Sequence, residues 1–170
     1  MARTRVKICG ITRIEDAVAA SNAGADAIGL VFYAPSPRNI AAADASAIVE
    51  SVSSFVTTVG LFVDPKPDEV RKVLETRPLD RLQFHGNESE AFCQQFGKPY
   101  IKALQAKPGT DFAALAENYS SAAGILLDSS KPGVAGGTGA VFGWRLIPTA
   151  LRGSIILAGG LSPDNVAQAI

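Results

Sequence analysis

Short apolar runs recur along the chain and alternate with segments whose apolar residues follow a helical period. Runs of this length that are rich in Val, Ile, Leu and Phe are typical of β-strands. We predict strands at residues 5–9, 27–32, 57–63, 81–85, 100–104, 124–128 and 154–158. Strict β-α alternation predicts parallel strands joined by right-handed helical crossovers.

The number and spacing of these units favour an α/β fold of the (β/α)8 TIM-barrel class, with units about 20–30 residues long. A doubly wound sheet is the alternative, but no GxGxxG follows the first strand. On the pattern alone, a generic α/β layer protein also stays open. We expect residues 1–170 to form a single barrel domain that lacks the eighth strand and helix, which leaves strands one and seven with unpaired edges.

Polar residues mark the expected helix starts. Thr12 with Glu15 forms a capping-box pattern before the first helix, and Asn87 with Glu90 marks the start of a later one. Ser162 is the expected N-cap of the helix after the seventh strand.

The first strand carries an unusual polar face. Arg5, Lys7 and Cys9 point to one side, whereas Val6 and Ile8 point to the other. Charged side chains cannot pack against apolar helices without a large desolvation cost. We therefore expect Lys7 and Cys9 to face the barrel interior.

The fourth strand repeats this pattern, since Arg81, Gln83 and His85 share one face. His85, Cys9 and Asp128 all stand at predicted strand ends. In a barrel these ends meet at the rim where catalytic residues lie, so we expect the three side chains to converge.

Composition excludes several classes of function. The 170 residues are 47% hydrophobic and carry 16 basic and 16 acidic side chains, which gives no electrostatic surface for nucleic acid or an anionic membrane. No apolar run reaches the roughly 20 residues of a membrane span, and the N-terminus lacks a signal-peptide core. Two distant cysteines (Cys9 and Cys93) and one histidine predict neither a disulfide framework nor a metal site. We expect a cytoplasmic protein without metal or cofactor.

Cys9 and Asp128 are the candidate catalytic pair. On a barrel rim they suggest a general base and a general acid, although a lone cysteine is usually core packing and a strand-end acid often caps a loop. An ordinary thiol has a pKa of about 8.5, so Cys9 needs a nearby cation, for which Lys7 is the candidate.

Glycines mark two further candidate sites. Gly159 and Gly160 follow the seventh strand and would expose N–H groups to a phosphate, although glycines also favour ordinary tight turns. Residues 129–144, which include Gly137, read as a lid over the rim or as a mere linker.

Arg38 lies in a proline-stiffened loop after the second strand. Surface arginines are usually solvated, but a guanidinium on this rim would offer a bidentate carboxylate site.

Taken together, these motifs resemble the phosphoribosylanthranilate isomerase family. The resemblance runs in order along essentially the whole chain, through "KICGIT", "GLVFYAPSPRNI", "VGLFVD", "LQFHGNES", "LLDSSKPGVAGGTGAVFGW" and "ILAGGLSPDNV".

The resemblance implies an intramolecular oxidoreductase of tryptophan biosynthesis that converts N-(5-phosphoribosyl)anthranilate to 1-(2-carboxyphenylamino)-1-deoxyribulose 5-phosphate, without metal or cofactor. Asp128 matches the general acid that opens the ribose ring, and its carboxyl must start protonated, so we expect a raised pKa. Cys9 matches the base that removes the C2 proton. Arg38 matches the arginine that holds the anthranilate carboxylate. The substrate-binding residues we predict are Arg38, Lys7, His85, Gly137, Gly159 and Gly160.

Some alternatives stay open at this point. His85 is equally well read as a structural histidine. Without the eighth strand the chain could be an inactive fragment, or it could belong to another phosphosugar-binding barrel enzyme. The expected partner is a small phosphorylated substrate, neither nucleic acid nor membrane, and the sequence allows a monomer or a homodimer.

Overall fold

The computed structural model describes residues 3–77, 79–105, 111, 114, 117–128 and 155–170. The chain divides into two compact units, Met1–Tyr100 and Ile101–Ile170. The expectation of a single domain over residues 1–170 stays a prediction.

The described residues of the first unit form four β-α repeats. Its strands are β1 (Lys7–Cys9), β2 (Ala27–Val31), β3 (Thr57–Phe62) and β4 (Arg81–Phe84), which pair in parallel in this order. The helices that follow them are α1 (Ile14–Asn22), α2 (Ala42–Ser51), α3 (Pro67–Thr76) and α4 (Glu90–Gln94).

The described residues of the second unit form three parallel strands and a short helix. They are β5 (Tyr100–Gln105), β6 (Gly124–Asp128), β7 (Ile155–Ala158) and α5 (Val166–Ala169). All seven strands predicted from the sequence are thus confirmed, with small differences at their ends. None of the described helices has the length and apolar character needed to cross a membrane.

Aromatic packing fixes β4 in the first unit. The ring of Phe84, which is fully buried, lies 6.2 Å from Phe62, 5.8 Å from Phe92, 5.8 Å from Phe96 and 6.2 Å from Tyr100, measured between centroids. Aromatic pairs at these separations stabilise beyond the area they bury. The apolar face of β4 is therefore held firmly, which also holds the residues of its opposite, polar face.

Alternate residues of the second unit form two clusters. Leu104 and Leu127 pack with Ile125, Ile155 and Leu157 on one side of the strands. The cluster on the other side consists of Ile101, Ala103, Leu126, Ile156 and Ala158. Because side chains alternate along a strand, Asp128 points to the second of these sides, as Leu126 does.

The predicted capping box of α1 is wrong. The helix begins at Ile14, and its N-cap residue Arg13 makes no capping hydrogen bond through its side chain. Arg13 instead donates to both carboxylate oxygens of Asp16, at 3.0 and 2.8 Å. This hydrogen bond holds the pKa of Asp16 below its usual value. A salt-bridged pair one turn apart replaces the expected cap by Thr12 and Glu15.

The predicted start of α4 at Asn87 is also wrong. The helix begins at Glu90, and the hydroxyl of Ser89 accepts the Phe92 N–H at 3.3 Å as its cap. Asn87 instead donates its backbone N–H to the Asp64 carboxylate at 2.6 Å. Asn87 is therefore bound by a residue 23 positions away, and Ser89 provides the local cap.

An apolar groove lies between β1 and α1. Within the described residues β1 pairs with β2 alone. Val6 and Ile8 are 43% and 41% exposed, as their position on the outer face of an edge strand allows. They line a groove of about 480 Å³ together with alanines of α1, among them Ala19 and Ala23.

Candidate functional site

The carboxyl end of β1 brings a thiol and an ammonium group together. Lys7 and Cys9 lie on the same face of β1, and Cys9 is the register partner of Gly29 on β2. A β-carbon on Gly29 would lie 2.8 Å from Sγ of Cys9 and 3.1 Å from Nζ of Lys7. The two reactive groups therefore lie over the same glycine, in agreement with the predicted strand parity.

The loop after β2 carries Arg38 back to the end of β1. The Ile40 N–H donates to the Val31 carbonyl at 3.0 Å, and an isolated bridge joins Val31 to Asn39, so the loop is anchored along β2. From this anchor Arg38 donates through Nη1 to the carbonyl oxygen of Cys9 at 3.0 Å. No carboxylate pairs with Arg38 among the described residues. Its guanidinium keeps donors for an anionic ligand.

Gly10 provides the surface on which Arg38 rests. Its φ is +85°, and a β-carbon there would lie 2.5 Å from Cδ and 2.7 Å from Nη1 of Arg38. The N–H groups of Gly10 and Ile11 both donate to the carbonyl of Gly29, at 2.9 and 3.0 Å. The close packing of Gly10 with a residue 28 positions away is visible only in the structure.

His85 directly follows β4. Its N–H donates to the Phe62 carbonyl at 2.9 Å, and Nδ1 lies 3.3 Å from Nε2 of Gln83. Which of the two side chains donates in this contact depends on the tautomer of the imidazole. Gln83 is 1% exposed, and its Oε1 has no hydrogen-bond partner among the described residues.

Two carboxylates interlock the loops after β3 and β4. The buried Glu88 accepts the N–H of Asp64 at 2.8 Å and that of Gly86 at 3.0 Å. In return, Asp64 accepts the N–H of Asn87. Asp64 adopts a φ of +44°, which is uncommon for a residue with a side chain. No pattern in the sequence indicated this network, which fixes the segment next to His85.

The second unit holds the other predicted catalytic group. Asp128 is the last residue of β6, is partly buried, and has Ala158 of β7 as its register partner. Gly159 and Gly160 follow Ala158 directly, with φ angles of +81° and +66°. The predicted acid thus ends β6, and the predicted phosphate-binding glycines directly follow β7, the neighbouring strand.

The loop after β7 is held by Asn165, which no sequence pattern singled out. Asn165 donates through Nδ2 to the Gly160 carbonyl at 2.8 Å, and its Oδ1 accepts the Ser162 N–H at 2.8 Å. The helix α5 begins only at Val166, so the expectation of Ser162 as its N-cap is wrong. Ser162 instead accepts the Val166 N–H through its carbonyl, at 2.9 Å.

The predicted site residues therefore fall into separate groups. The first unit gathers Lys7, Cys9 and Arg38 at the end of β1 and places His85 at the end of β4; the second places Asp128 beside the glycine pair. Gly137 and the segment 129–144 lie outside the described residues. No cluster of His, Cys, Asp and Glu in the described part of the chain could hold a metal ion.

Comparisons with known proteins agree on one family. A family model described as N-(5'phosphoribosyl)anthranilate (PRA) isomerase matches residues 6–170. N-(5'-phosphoribosyl)anthranilate isomerase of Pseudomonas putida strain F1 is 56% identical over all 170 residues, which cover 82% of that protein.

Solved structures agree with this match. Phosphoribosyl anthranilate isomerase of Thermotoga maritima superposes with a TM-score of 0.87 at 39% identity, over 99% of this chain and 82% of that one. A structure of a phosphoribosyl anthranilate isomerase in complex with reduced 1-(o-carboxyphenylamino)-1-deoxyribulose 5-phosphate gives a TM-score of 0.82 at 37% identity, over 99% of this chain and 81% of that one. The predicted α/β fold of the (β/α)8-barrel class is confirmed, and the chain belongs to the N-(5'-phosphoribosyl)anthranilate isomerase family.

Proposed function

We propose that the chain catalyses the Amadori rearrangement of N-(5-phosphoribosyl)anthranilate to 1-(2-carboxyphenylamino)-1-deoxyribulose 5-phosphate in tryptophan biosynthesis. The observation that carries the proposal is the arrangement at the end of β1. There the partly exposed Cys9 has its thiol beside an ammonium group and its backbone carbonyl bonded to a guanidinium, in a chain that matches the isomerase family over residues 6–170.

The first step opens the ribose ring. Asp128, acting as a general acid, gives its proton to the ring oxygen while the bond from C1 to that oxygen breaks. The nitrogen lone pair of the anthranilate forms the new C1=N bond, which leaves a protonated Schiff base. This role requires the Asp128 carboxyl to be protonated at the start, and a carboxyl at the end of a barrel strand is suitably placed for it.

The second step moves the double bond. The iminium acts as an electron sink that makes the C2 proton acidic, so a thiolate of Cys9 suffices as the base. The C2–H electrons form a C1=C2 bond and the iminium nitrogen becomes neutral. The resulting enolamine then tautomerises, with the C2 hydroxyl becoming a carbonyl and C1 gaining a proton. Lys7 lies beside this thiol, on the same face of β1.

Binding of the two anionic ends orients the substrate. Arg38 pairs with the anthranilate carboxylate through guanidinium donors that no carboxylate of the described residues occupies. The backbone at Gly159 and Gly160 binds the phosphate, because a glycine backbone allows the closest approach of an anion. His85 and Gly137 are assigned to the substrate site as supporting residues, and no metal or cofactor takes part.

The test is turnover of the substrate, followed by its anthranilate fluorescence. We expect the variants Cys9→Ala and Asp128→Asn each to lose at least about a hundredfold in kcat, the lower end of what a general acid or base contributes. The matched controls are Cys93→Ala, which removes the fully buried thiol, and Asp164→Asn, which changes an exposed carboxylate of the second unit. Both controls should keep wild-type turnover.

Three results would contradict the proposal. Full turnover in either catalytic variant would remove the assigned acid or base. Absence of turnover in the wild-type chain, in a preparation that unfolds cooperatively, would instead support the alternative of an inactive fragment, whereas turnover of a phosphosugar without an anthranilate group would favour a different barrel enzyme.

A further inference from the structure

We propose that Gly10 is a positioning residue for the carboxylate site: by lacking a side chain it provides the surface that holds the Arg38 guanidinium in its binding orientation. The inference rests on the proposed function, in which Arg38 pairs with the anthranilate carboxylate. Selectivity for a carboxylated aromatic ring would then depend on the Gly10 backbone as well as on the Arg38 side chain.

The contact between Gly10 and Arg38 is closer than any side chain at position 10 allows. A β-carbon on Gly10 would lie 2.5 Å from Cδ, 2.7 Å from Nη1 and 2.9 Å from Nε of Arg38. Carbon atoms at optimal separation are about 3.5–4.0 Å apart, so all three contacts would be repulsive. The guanidinium therefore lies against the Gly10 backbone.

A hydrogen bond holds Arg38 in the same place. Nη1 donates to the carbonyl oxygen of Cys9, the residue directly before Gly10, at 3.0 Å. Contact and hydrogen bond together place the guanidinium across the peptide that follows the catalytic thiol. The carboxylate-binding group is thereby held next to the residue that carries the proposed base, and precise placement of the reacting parts is what such a site needs.

The side chain of Arg38, and not the fold, would give way to an alanine at position 10. The three atoms nearest to the added β-carbon all belong to a flexible, exposed side chain. The loop that carries Arg38 is held independently through the bonds of Val31 with Asn39 and Ile40. We therefore expect Gly10→Ala to release the guanidinium while leaving the strand and the loop in place.

The chain offers a matched control at Gly24. Its φ is +86°, nearly identical to the +85° of Gly10, but a β-carbon there would have no atom within 4 Å. Gly24→Ala therefore carries the same backbone strain as Gly10→Ala without the contact to Arg38. Comparing the two variants separates the strain from the proposed positioning effect.

The experiment measures binding of two probes by calorimetry to the wild type, Gly10→Ala, Gly24→Ala, Arg38→Ala and the double variant Gly10→Ala/Arg38→Ala. The first probe is reduced 1-(o-carboxyphenylamino)-1-deoxyribulose 5-phosphate, and the second is the same compound without its carboxyl group. We expect Gly10→Ala and Arg38→Ala each to weaken the carboxylated probe about tenfold or more, as for loss of a charged hydrogen bond. The carboxyl-free probe should be affected less than about twofold, within the usual effect of a surface change.

The double variant and the Gly24→Ala control have expected results of their own. Adding Gly10→Ala to Arg38→Ala should cost nothing further, because the group that Gly10 positions is already absent. Gly24→Ala should bind both probes like the wild type while its melting temperature falls about as far as that of Gly10→Ala. The Nε–H resonance of Arg38 in the ligand-free protein should shift in Gly10→Ala and stay unchanged in Gly24→Ala.

Each contrary result has its own meaning. The role of Gly10 would be overturned if Gly10→Ala bound the carboxylated probe like the wild type, or if its affinity for both probes fell equally. The affinities of Arg38→Ala would still test the proposed function in that case. If Arg38→Ala binds both probes like the wild type, or the wild type binds neither, the assigned function of Arg38 fails and the inference fails with it. An unshifted Arg38 resonance in Gly10→Ala would overturn the inference without any ligand.

Discussion

At the scale of single residues, the surroundings of the Cys9 thiol depend on a residue without a side chain. Gly29 lies opposite Cys9 on β2, and the space where its β-carbon would stand lies next to both Sγ of Cys9 and Nζ of Lys7. A larger residue at this position would have to displace one of the two groups. Gly29 therefore determines how closely the ammonium can approach the thiol.

We expect Gly29→Ala to lower kcat at least about tenfold, since small displacements of a catalytic group are costly. Gly124→Ala is the matched control: Gly124 also lies in a strand, and the nearest atom to its added β-carbon, Cδ1 of Ile156, is at an ordinary 3.4 Å. Activity would be followed by substrate fluorescence, and stability by urea unfolding. Equal kcat in the two variants would mean that the spacing of Lys7 and Cys9 does not matter for turnover.

The common face of Lys7 and Cys9 could be predicted from the sequence, but the glycines next to the candidate site residues could not. Strand parity sufficed to put Lys7 and Cys9 on one face, because the two-residue period is a local property. The roles of Gly10 and Gly29 depend on partners 28 and 20 positions away along the chain, Arg38 and Cys9. A glycine in a strand or turn has several local explanations, and only the fold selects among them.

At the scale of elements, the start of β2 holds the segment before β1. The Asp26 carboxylate accepts the Val6 N–H at 2.8 Å and a guanidinium hydrogen bond from Arg3 at 3.1 Å. The Asp26 N–H donates in turn to the Val6 carbonyl at 2.8 Å. The Val6 hydrogen bond, and after it that of Arg3, lower the pKa of Asp26.

This lowered pKa predicts an acid-dependent loss of stability. A carboxyl whose pKa is lower in the folded than in the unfolded protein stabilises the fold above its unfolded pKa, about 3.9, and this contribution disappears as the pH falls through the folded value. We expect Asp26→Asn to be less stable than the wild type at pH 7, with the difference shrinking steadily below about pH 4. Urea unfolding across pH 3–7 would measure it.

The control for this comparison is Asp68→Asn. Asp68 forms a salt bridge with Arg71 one turn away, but its side chain is 96% exposed. Such surface pairs contribute little, so its unfolding midpoint should follow that of the wild type. A difference between wild type and Asp26→Asn that stayed constant from pH 7 to pH 3 would show that the charge of Asp26 is not the cause.

The existence of the elements was predictable, whereas their caps were not. Strands and helices follow from periodicity summed over many residues, so single competing contacts cannot change the outcome. A cap depends on one hydrogen bond, and residues such as Asp64 compete for it from elsewhere in the chain. Asn87 bonds to Asp64 instead of starting α4, and Ser162 bonds to Asn165 instead of capping α5.

At the scale of the whole molecule, apolar burial is unevenly distributed between neighbouring strands. Ile8 and Ile28 are register partners on β1 and β2, yet Ile8 is 41% exposed and Ile28 fully buried. The two side chains thus point to the same side of the sheet, but neighbouring residues cover Ile28 and leave Ile8 partly exposed. The alternation of the sequence predicts their common direction but not this difference.

We expect Ile28→Ala to reduce the free energy of unfolding by about 2–5 kcal/mol, as for other fully buried aliphatic residues, and Ile8→Ala by less than half as much. The midpoint of urea unfolding at constant m-value would give both numbers. Equal losses would show that the outer face of β1 is covered in solution.

The unequal exposure of the two cysteines has a practical consequence. Cys93 is fully buried in α4, whereas Cys9 is partly accessible at the end of β1. A small thiol reagent applied to the folded protein would therefore mark a single position, the proposed base itself. One natural cysteine thus offers an attachment point for a spectroscopic label inside the candidate active site, without any engineering of the sequence.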